Sequence, residues 1–162
     1  MALIVFIGIS SILLFAGVIA FGAPYLPTLN SRVEDALDLL DLKSGQTMLE
    51  LGSGDGRMLR AAATRGIKSI GYELNPLLVI YSYLRCIKYR GLITIRWGNY
   101  WAKDWPQADG MYVFLLQPYM TKLHNKVTHY VGSKRFNLVS FAFKIEQKHP
   151  VAEQNGMFLY RY

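Results

Sequence analysis

The run Glu50-Leu51-Gly52-Ser53-Gly54-Asp55-Gly56 combines the two ingredients of a small-molecule cradle. Its glycines let backbone approach a ligand closely, and its carboxylates, Glu50 and Asp55, select the charge of what is approached. A third carboxylate, Glu73, follows 23 positions after Glu50, at the end of the next apolar run, where it can accept hydrogen bonds from both hydroxyls of a ribose. A dinucleotide needs G-x-G-x-x-G, so that its pyrophosphate rests on a helix N-terminus. Here the glycines run G-x-G-x-G, and two carboxylates beside them repel a phosphate. S-adenosylmethionine carries an ammonium and a sulfonium and no phosphate, so an acidic loop suits it. A glycine loop alone can merely turn a chain, and a strand-end Glu can be merely solvated. Their order and spacing together are what point to a cofactor.

A second constellation is Gln117-Pro118-Tyr119. Gln117 can accept a hydrogen bond from an amine and orient its lone pair, and Tyr119 can pack on a methylene stem or a transient cation. A proline starting a helix beside a buried tyrosine is the plain structural alternative. The single cysteine, Cys86, excludes an internal disulfide. His124, His129 and His149 stand at no metal-ligand spacing, so no metal is expected.

These residues need elements to hold them. Val33, Ala36, Leu37 and Leu40 recur at helical spacing, and Ser31-Arg32-Val33-Glu34 has the spacing of a capping box that would open that helix. A strand is predicted over 47–51, running into the glycine loop, with a helix over 57–65 after it. A second strand over 69–73 ends on Glu73. Asn75 as N-cap and Pro76 at the first helical position then open an apolar helix reaching residue 89. Strands follow over 92–97, 111–116 and 138–143, with a helix over 119–130 and a closing strand over 157–162. This alternation implies an α/β, Rossmann-like, mostly parallel sheet with helices on both faces.

The 162 residues bound the chain to one such domain. Of the first 23 residues, 18 are apolar and none is charged. Residues 1–22 are therefore read as one transmembrane helix, long enough for a hydrocarbon core of ~30 Å. No basic n-region precedes them as a signal peptide requires, and the remaining chain is too small to enclose a helix so apolar all round. Residues 23–30, with Pro24 and Pro27, form a linker, and residues 31–162 form the domain. All Lys and Arg lie after the span, which places the domain on the cytoplasmic or matrix-equivalent side of a single-pass membrane protein. The formal charge is +7. Nine Lys or Arg fall between Asp55 and Lys103 against two acids, a basic face for which the lipid bilayer is the simplest partner and a solvated helix face the alternative.

Residues 50–56 resemble the first motif of the class I S-adenosylmethionine-dependent methyltransferases. The chain is more similar still to the small membrane-anchored protein-lysine methyltransferases of mitochondria and their bacterial relatives. Residues 24–28, 51–57 and 71–76 match their Pro-aromatic-x-Pro-Thr, L-G-S-G-D-G-R and G-Y-E-L-N-P segments. The resemblance implies that Glu50, Gly52, Gly54 and Asp55 hold the methionine end, Glu73 the ribose and Asn99 the adenine edge. Tyr25 and Thr28 would fold back over the cofactor. Asn99 departs from the Asp that many such enzymes carry, and Gln117-Pro118-Tyr119 only partly matches the Asn/Asp-Pro-Pro-aromatic tetrad of amino-directed members. The implied acceptor is a lysine of a membrane or membrane-associated protein. Its amine must shed a proton from a reference pKa of ~10.4, which desolvation assists, and no dedicated base is evident. RNA, lipid or a small amine as acceptor, and an inactive cofactor-binding protein, are the alternative readings. Nucleic acid is not expected, because no RNA-binding module is present.

Overall fold

The computed structural model describes Met1, residues 4–6, residue 8 and residues 28–162. Helix α1 (Asn30–Leu40) buries Val33, Ala36, Leu37 and Leu40, the face its periodicity predicts. Its N-cap is Leu29, whose carbonyl accepts from Arg32 and Val33. Ser31 is therefore already inside the first turn and the capping box does not form. Glu34 instead pairs with Arg65, across the helix interface.

Strands β1 (Thr47–Leu51), β2 (Lys68–Glu73), β3 (Ile93–Trp97), β4 (Gly110–Val113) and β5 (Asn137–Phe141) pair in parallel. Helices α2 (Arg57–Thr64), α3 (Pro76–Cys86) and α4 (Met120–Val131) lie between them in the chain. The sheet runs β3-β2-β1-β4-β5-β7-β6, and β7 (Met157–Arg161) pairs antiparallel with both β5 and β6 (Ala152–Gln154). The closing strand is thus present, but reversed in direction and accompanied by an unforeseen partner. α1, α2 and the Cys86 end of α3 pack on one face with Met48, Tyr112 and Val139. α4 covers the other with Leu49, Leu51, Met111 and Val113, joined by Trp105 and Phe136. The strand order reverses direction between β1 and β4, and a crevice at the carboxyl ends of strands there is where open α/β sheets take ligands.

The expected transmembrane helix over residues 1–22 falls mostly outside the described residues. Among the described residues no helix is long and apolar enough to cross a membrane. The single-pass membrane reading is corrected accordingly: an apolar composition reports what a bilayer would tolerate and does not establish a spanning helix.

Candidate functional site

β1 delivers Glu50 and Leu51 to the carboxyl edge of the sheet, and the chain then turns through Gly52, Gly54 and Gly56 at φ of 86°, 53° and 72°. Tyr72 of the neighbouring β2 holds the turn, its carbonyl accepting from the amides of both Gly52 and Ser53 at 2.9 Å. A Cβ on Gly52 would meet nothing within 4 Å, so the space over this left-handed residue is open to a ligand. Gly71 is glycine for a different reason. A Cβ there would lie 2.7 Å from Leu59 Cδ1 and from Ser53 Cβ, so its absence lets the loop settle onto β2.

The three carboxylates sit in three different environments. Glu73, at the end of β2, accepts from Gly54 N through Oε2 and from Asn75 N through Oε1, both at 2.8 Å. It is fixed by backbone alone, with lone pairs remaining for ribose hydroxyls. Asp55 is gripped by Arg57, whose Nε and Nη2 donate to its two oxygens at 3.0 and 3.1 Å. Burial alone would raise Asp55, but the Arg57 guanidinium outweighs it and holds the carboxyl below the usual range. Arg57 Nη1 also donates to the Thr28 carbonyl at 2.7 Å, and Thr28 Oγ1 shares a hydrogen bond of 2.8 Å with Tyr112 OH on β4. This chain of contacts brings Thr28 to the loop. Tyr25 lies outside the described residues.

Glu50 is the exception. It is 5% exposed, and its Oε2 is buried without a hydrogen-bond partner. Burial first, then the neighbouring Asp55 and Glu73, push its pKa well above the ordinary 4.5. Buried polar atoms are nearly always paired, so an orphaned carboxylate oxygen beside an open glycine makes Glu50 a candidate to meet a cation. Ser53 Oγ is buried and unpartnered in the same loop. An ammonium group fits this arrangement, and a pyrophosphate, facing three carboxylates, does not.

Asn99 follows β3 and caps the short 3-10 turn Tyr100–Ala102, accepting from Trp101 N at 2.9 Å. Its side chain is exposed at the same edge of the sheet. Gln117 opens the 3-10 turn Gln117–Tyr119 after β4. Its Nε2 donates to the Lys144 carbonyl at 3.2 Å and to Glu146 Oε1 at 3.1 Å. Both amide hydrogens are thereby engaged, leaving Oε1 as an acceptor. The Tyr119 ring lies tilted beside Trp101, centroids 6.2 Å apart, and Trp101 in turn contacts Tyr100 at 4.9 Å. The structure therefore gathers Thr28, Glu50, the glycines, Asp55 and Glu73 around one loop. Gln117 and Tyr119 stand on an adjoining turn. Sequence reasoning missed Arg57 as the clamp of Asp55, Ser53, Trp101 and Glu146. Arg57 is two residues from Asp55 and could have been found, whereas Glu146 lies 29 residues from Gln117 with no local signal.

Comparison with known proteins agrees with this geometry. The ANTKMT methyltransferase domain matches residues 50–152. The ATP synthase C-subunit lysine N-methyltransferase of Homo sapiens is 31% identical over 106 residues, 64% of this chain and 45% of that protein. The adenine nucleotide translocase lysine N-methyltransferase of Mus musculus is 47% identical over 57 residues, 35% of this chain and 24% of that one. The chain thus spans less than half the length of either relative. An RNA methyltransferase from Salinibacter ruber, solved with S-adenosyl-L-homocysteine, superposes with a TM-score of 0.76 at 28% identity. The match covers 85% of this chain and 92% of the other. With its buried, unpartnered Glu50, its open Gly52 and its 3-2-1-4-5-7-6 sheet, the chain belongs to the ANTKMT methyltransferase domain family, and its fold is that of a class I S-adenosylmethionine-dependent methyltransferase.

Proposed function

We propose that the protein transfers a methyl group from S-adenosylmethionine to the amine of a lysine side chain in a protein acceptor. The observation that carries the transfer reading is Gln117, whose amide is locked by Lys144 and Glu146 so that Oε1 is presented at the end of β4. The lysine follows from similarity to relatives named as lysine N-methyltransferases.

The cofactor supplies an electrophilic methyl group on a sulfonium. Glu50 would hold the ammonium of its methionine end, and Glu73 would accept from its ribose hydroxyls. Gly52 leaves room for close backbone approach, Gly54 donates its amide to Glu73, and Thr28 and Asn99 would flank the site. Gln117 Oε1 would accept a hydrogen bond from the acceptor amine and aim its lone pair. Tyr119 and Trp101 offer aromatic faces to the methylene stem. Positioning of this kind can supply much of the barrier reduction without a strong base, and desolvation of the amine as an acceptor closes over Tyr119 and Trp101 would favour its deprotonated form. Asp55, paired with Arg57, would act by holding the loop.

A second reading is favoured by the Salinibacter ruber structure, named as an RNA methyltransferase and similar over most of this chain. One experiment separates the two. The protein is incubated with cell extract and methyl-labelled S-adenosylmethionine, and the label is traced. Label recovered as methyllysine after protein hydrolysis supports the proposal. Label in RNA or lipid, with none in protein, overturns it.

A further inference from the structure

Helix α3 buries only Ser82 and Cys86. Its outward face carries Leu77, Ile80, Tyr81 and Leu84, continued by Ile87 in the following turn, all at three-to-four spacing and all about half or more exposed. The exposed positions of α4, on the other face of the sheet, are Thr121, Lys122, Asn125, Thr128 and His129, as an ordinary solvated helix requires. Trp97, 68% exposed, ends the edge strand β3, and its Nε1 donates to the Leu74 carbonyl just before α3. The apolar stripe is fringed by Arg85, Lys88 and Arg90, all exposed. Between Glu73 and Asp104 the chain has five basic residues and no acidic one.

We propose that this face of α3, with Trp97, is a docking surface for a lipid bilayer rich in anionic headgroups. The helix would lie along the surface, since 11 residues at about 1.5 Å each reach only about half of a ~30 Å hydrocarbon core. Apolar side chains at its centre, Tyr and Trp beside them and Arg and Lys at the rim are the composition that partitions to the headgroup boundary. Charge argues against the rival occupants. A second copy laid face to face would oppose Lys88 and Arg90 to the same cations with no acid beside them, Arg85 being partly compensated by Asp55 at 3.7 Å. A nucleic acid would find four aliphatic side chains at the centre where it needs donors and stacking faces. α3 begins just after Asn75, whose amide is fixed to Glu73, so docking would hold the cofactor edge of the sheet near the lipid surface. The inference is independent of the acceptor proposed above.

The test uses the full chain carrying an environment-sensitive fluorophore at Leu84→Cys, with Asn125→Cys on α4 as the control. Cys86 is buried and stays unlabelled. A local reporter is needed because the apolar residues 1–22 could adsorb on their own. With vesicles of phosphatidylcholine and phosphatidylglycerol, position 84 should shift to the blue and be quenched by nitroxide lipids while position 125 does neither. Lys88→Glu with Arg90→Glu should raise the vesicle concentration for half-maximal response about tenfold or more, and Ile80→Glu with Ile87→Glu should abolish it. S-adenosylhomocysteine binding, measured by calorimetry, should be unchanged in both pairs and reports that the fold is intact. Four outcomes would overturn the proposal: no response at position 84, equal responses at both positions, a response without vesicles that grows with protein concentration, or one elicited by RNA alone.

Discussion

Glu50→Gln should make the protein more stable without cofactor and worse at binding it. The carboxyl is buried, its Oε2 has no partner, and Asp55 and Glu73 oppose its charge. With its folded pKa above the ordinary 4.5, the folded state holds a proton that the unfolded chain releases. Stability from this group is therefore full below the unfolded value and is lost as pH rises toward the folded one. The slope is up to about 1.4 kcal/mol per pH unit across that window. Glutamine is nearly isosteric and never ionises, so it removes the slope. Urea denaturation of wild type and variant from pH 4.5 upward should show two stabilities that coincide at the acid end and diverge in favour of the variant as pH rises.

Binding should move the other way. A charge-assisted contact to an ammonium is worth about 1.5–3 kcal/mol, so the dissociation constant of S-adenosylhomocysteine should rise roughly ten- to hundredfold. Calorimetry at neutral pH measures it. A variant that binds with wild-type affinity, or one that is less stable than wild type at neutral pH without cofactor, would refute the assignment of Glu50 as a carboxylate kept for a cation.

Gly71→Ala should destabilise the fold by about 1–3 kcal/mol, because its new methyl lies 2.7 Å from both Leu59 Cδ1 and Ser53 Cβ; a thermal melt reads the loss, and calorimetry reads the weaker cofactor binding of the displaced loop. Arg57→Leu leaves the Asp55 carboxylate buried without its bidentate partner and should cost about 3–5 kcal/mol near neutral pH. The cost should shrink as acid protonates Asp55, whose stabilising effect is present above its ordinary value of 3.8 and lost as pH falls through the lowered folded one. Gln117→Ala should leave cofactor affinity unchanged and lower kcat in a methyl-transfer assay. Unaltered turnover under saturating cofactor would move the acceptor site elsewhere.

The three-to-four spacing of Val33 to Leu40 identifies the buried face of α1, and the short strand over 47–51 with the glycine loop and helix after it points to the candidate site, because both depend on neighbours in sequence. What escapes depends on contacts made at long range. Glu146 reaches Gln117 from a loop without regular structure, and nothing near it in the chain announces a partner. Asn155-Gly156 is different. Both residues take positive φ at the turn between β6 and β7, and such a pair between two short strands is a legible hairpin signal, although periodicity alone overlooks it because β6 has only three residues. Ser31 shows the converse: a capping pattern has the right spacing, yet the helix takes Leu29 as its N-cap, so Ser31 already lies inside the first turn and its side chain does not cap the helix.

The environments of Glu50, Asp55 and Glu73 show how the fold tolerates three carboxylates at one edge of the sheet, as the proposed cation site requires. Had Glu50, Asp55 and Glu73 all been ionised and unpaired in one buried crevice, their repulsion and desolvation would together cost more than a marginally stable domain can bear. The fold distributes the burden. Arg57 neutralises Asp55 and ties it to Thr28, and two backbone amides absorb the charge of Glu73. Only Glu50 is left, and burial with the neighbouring Asp55 and Glu73 pushes its pKa up, which favours its protonated form. An incoming ammonium would then displace that proton, so cofactor binding should release protons and should tighten as pH rises toward the folded pKa of Glu50. Calorimetry in buffers of different ionisation enthalpy counts them. Wild type should release a fraction of a proton that Glu50→Gln does not, and equal counts in the two proteins would mean that some group other than Glu50 meets the cation.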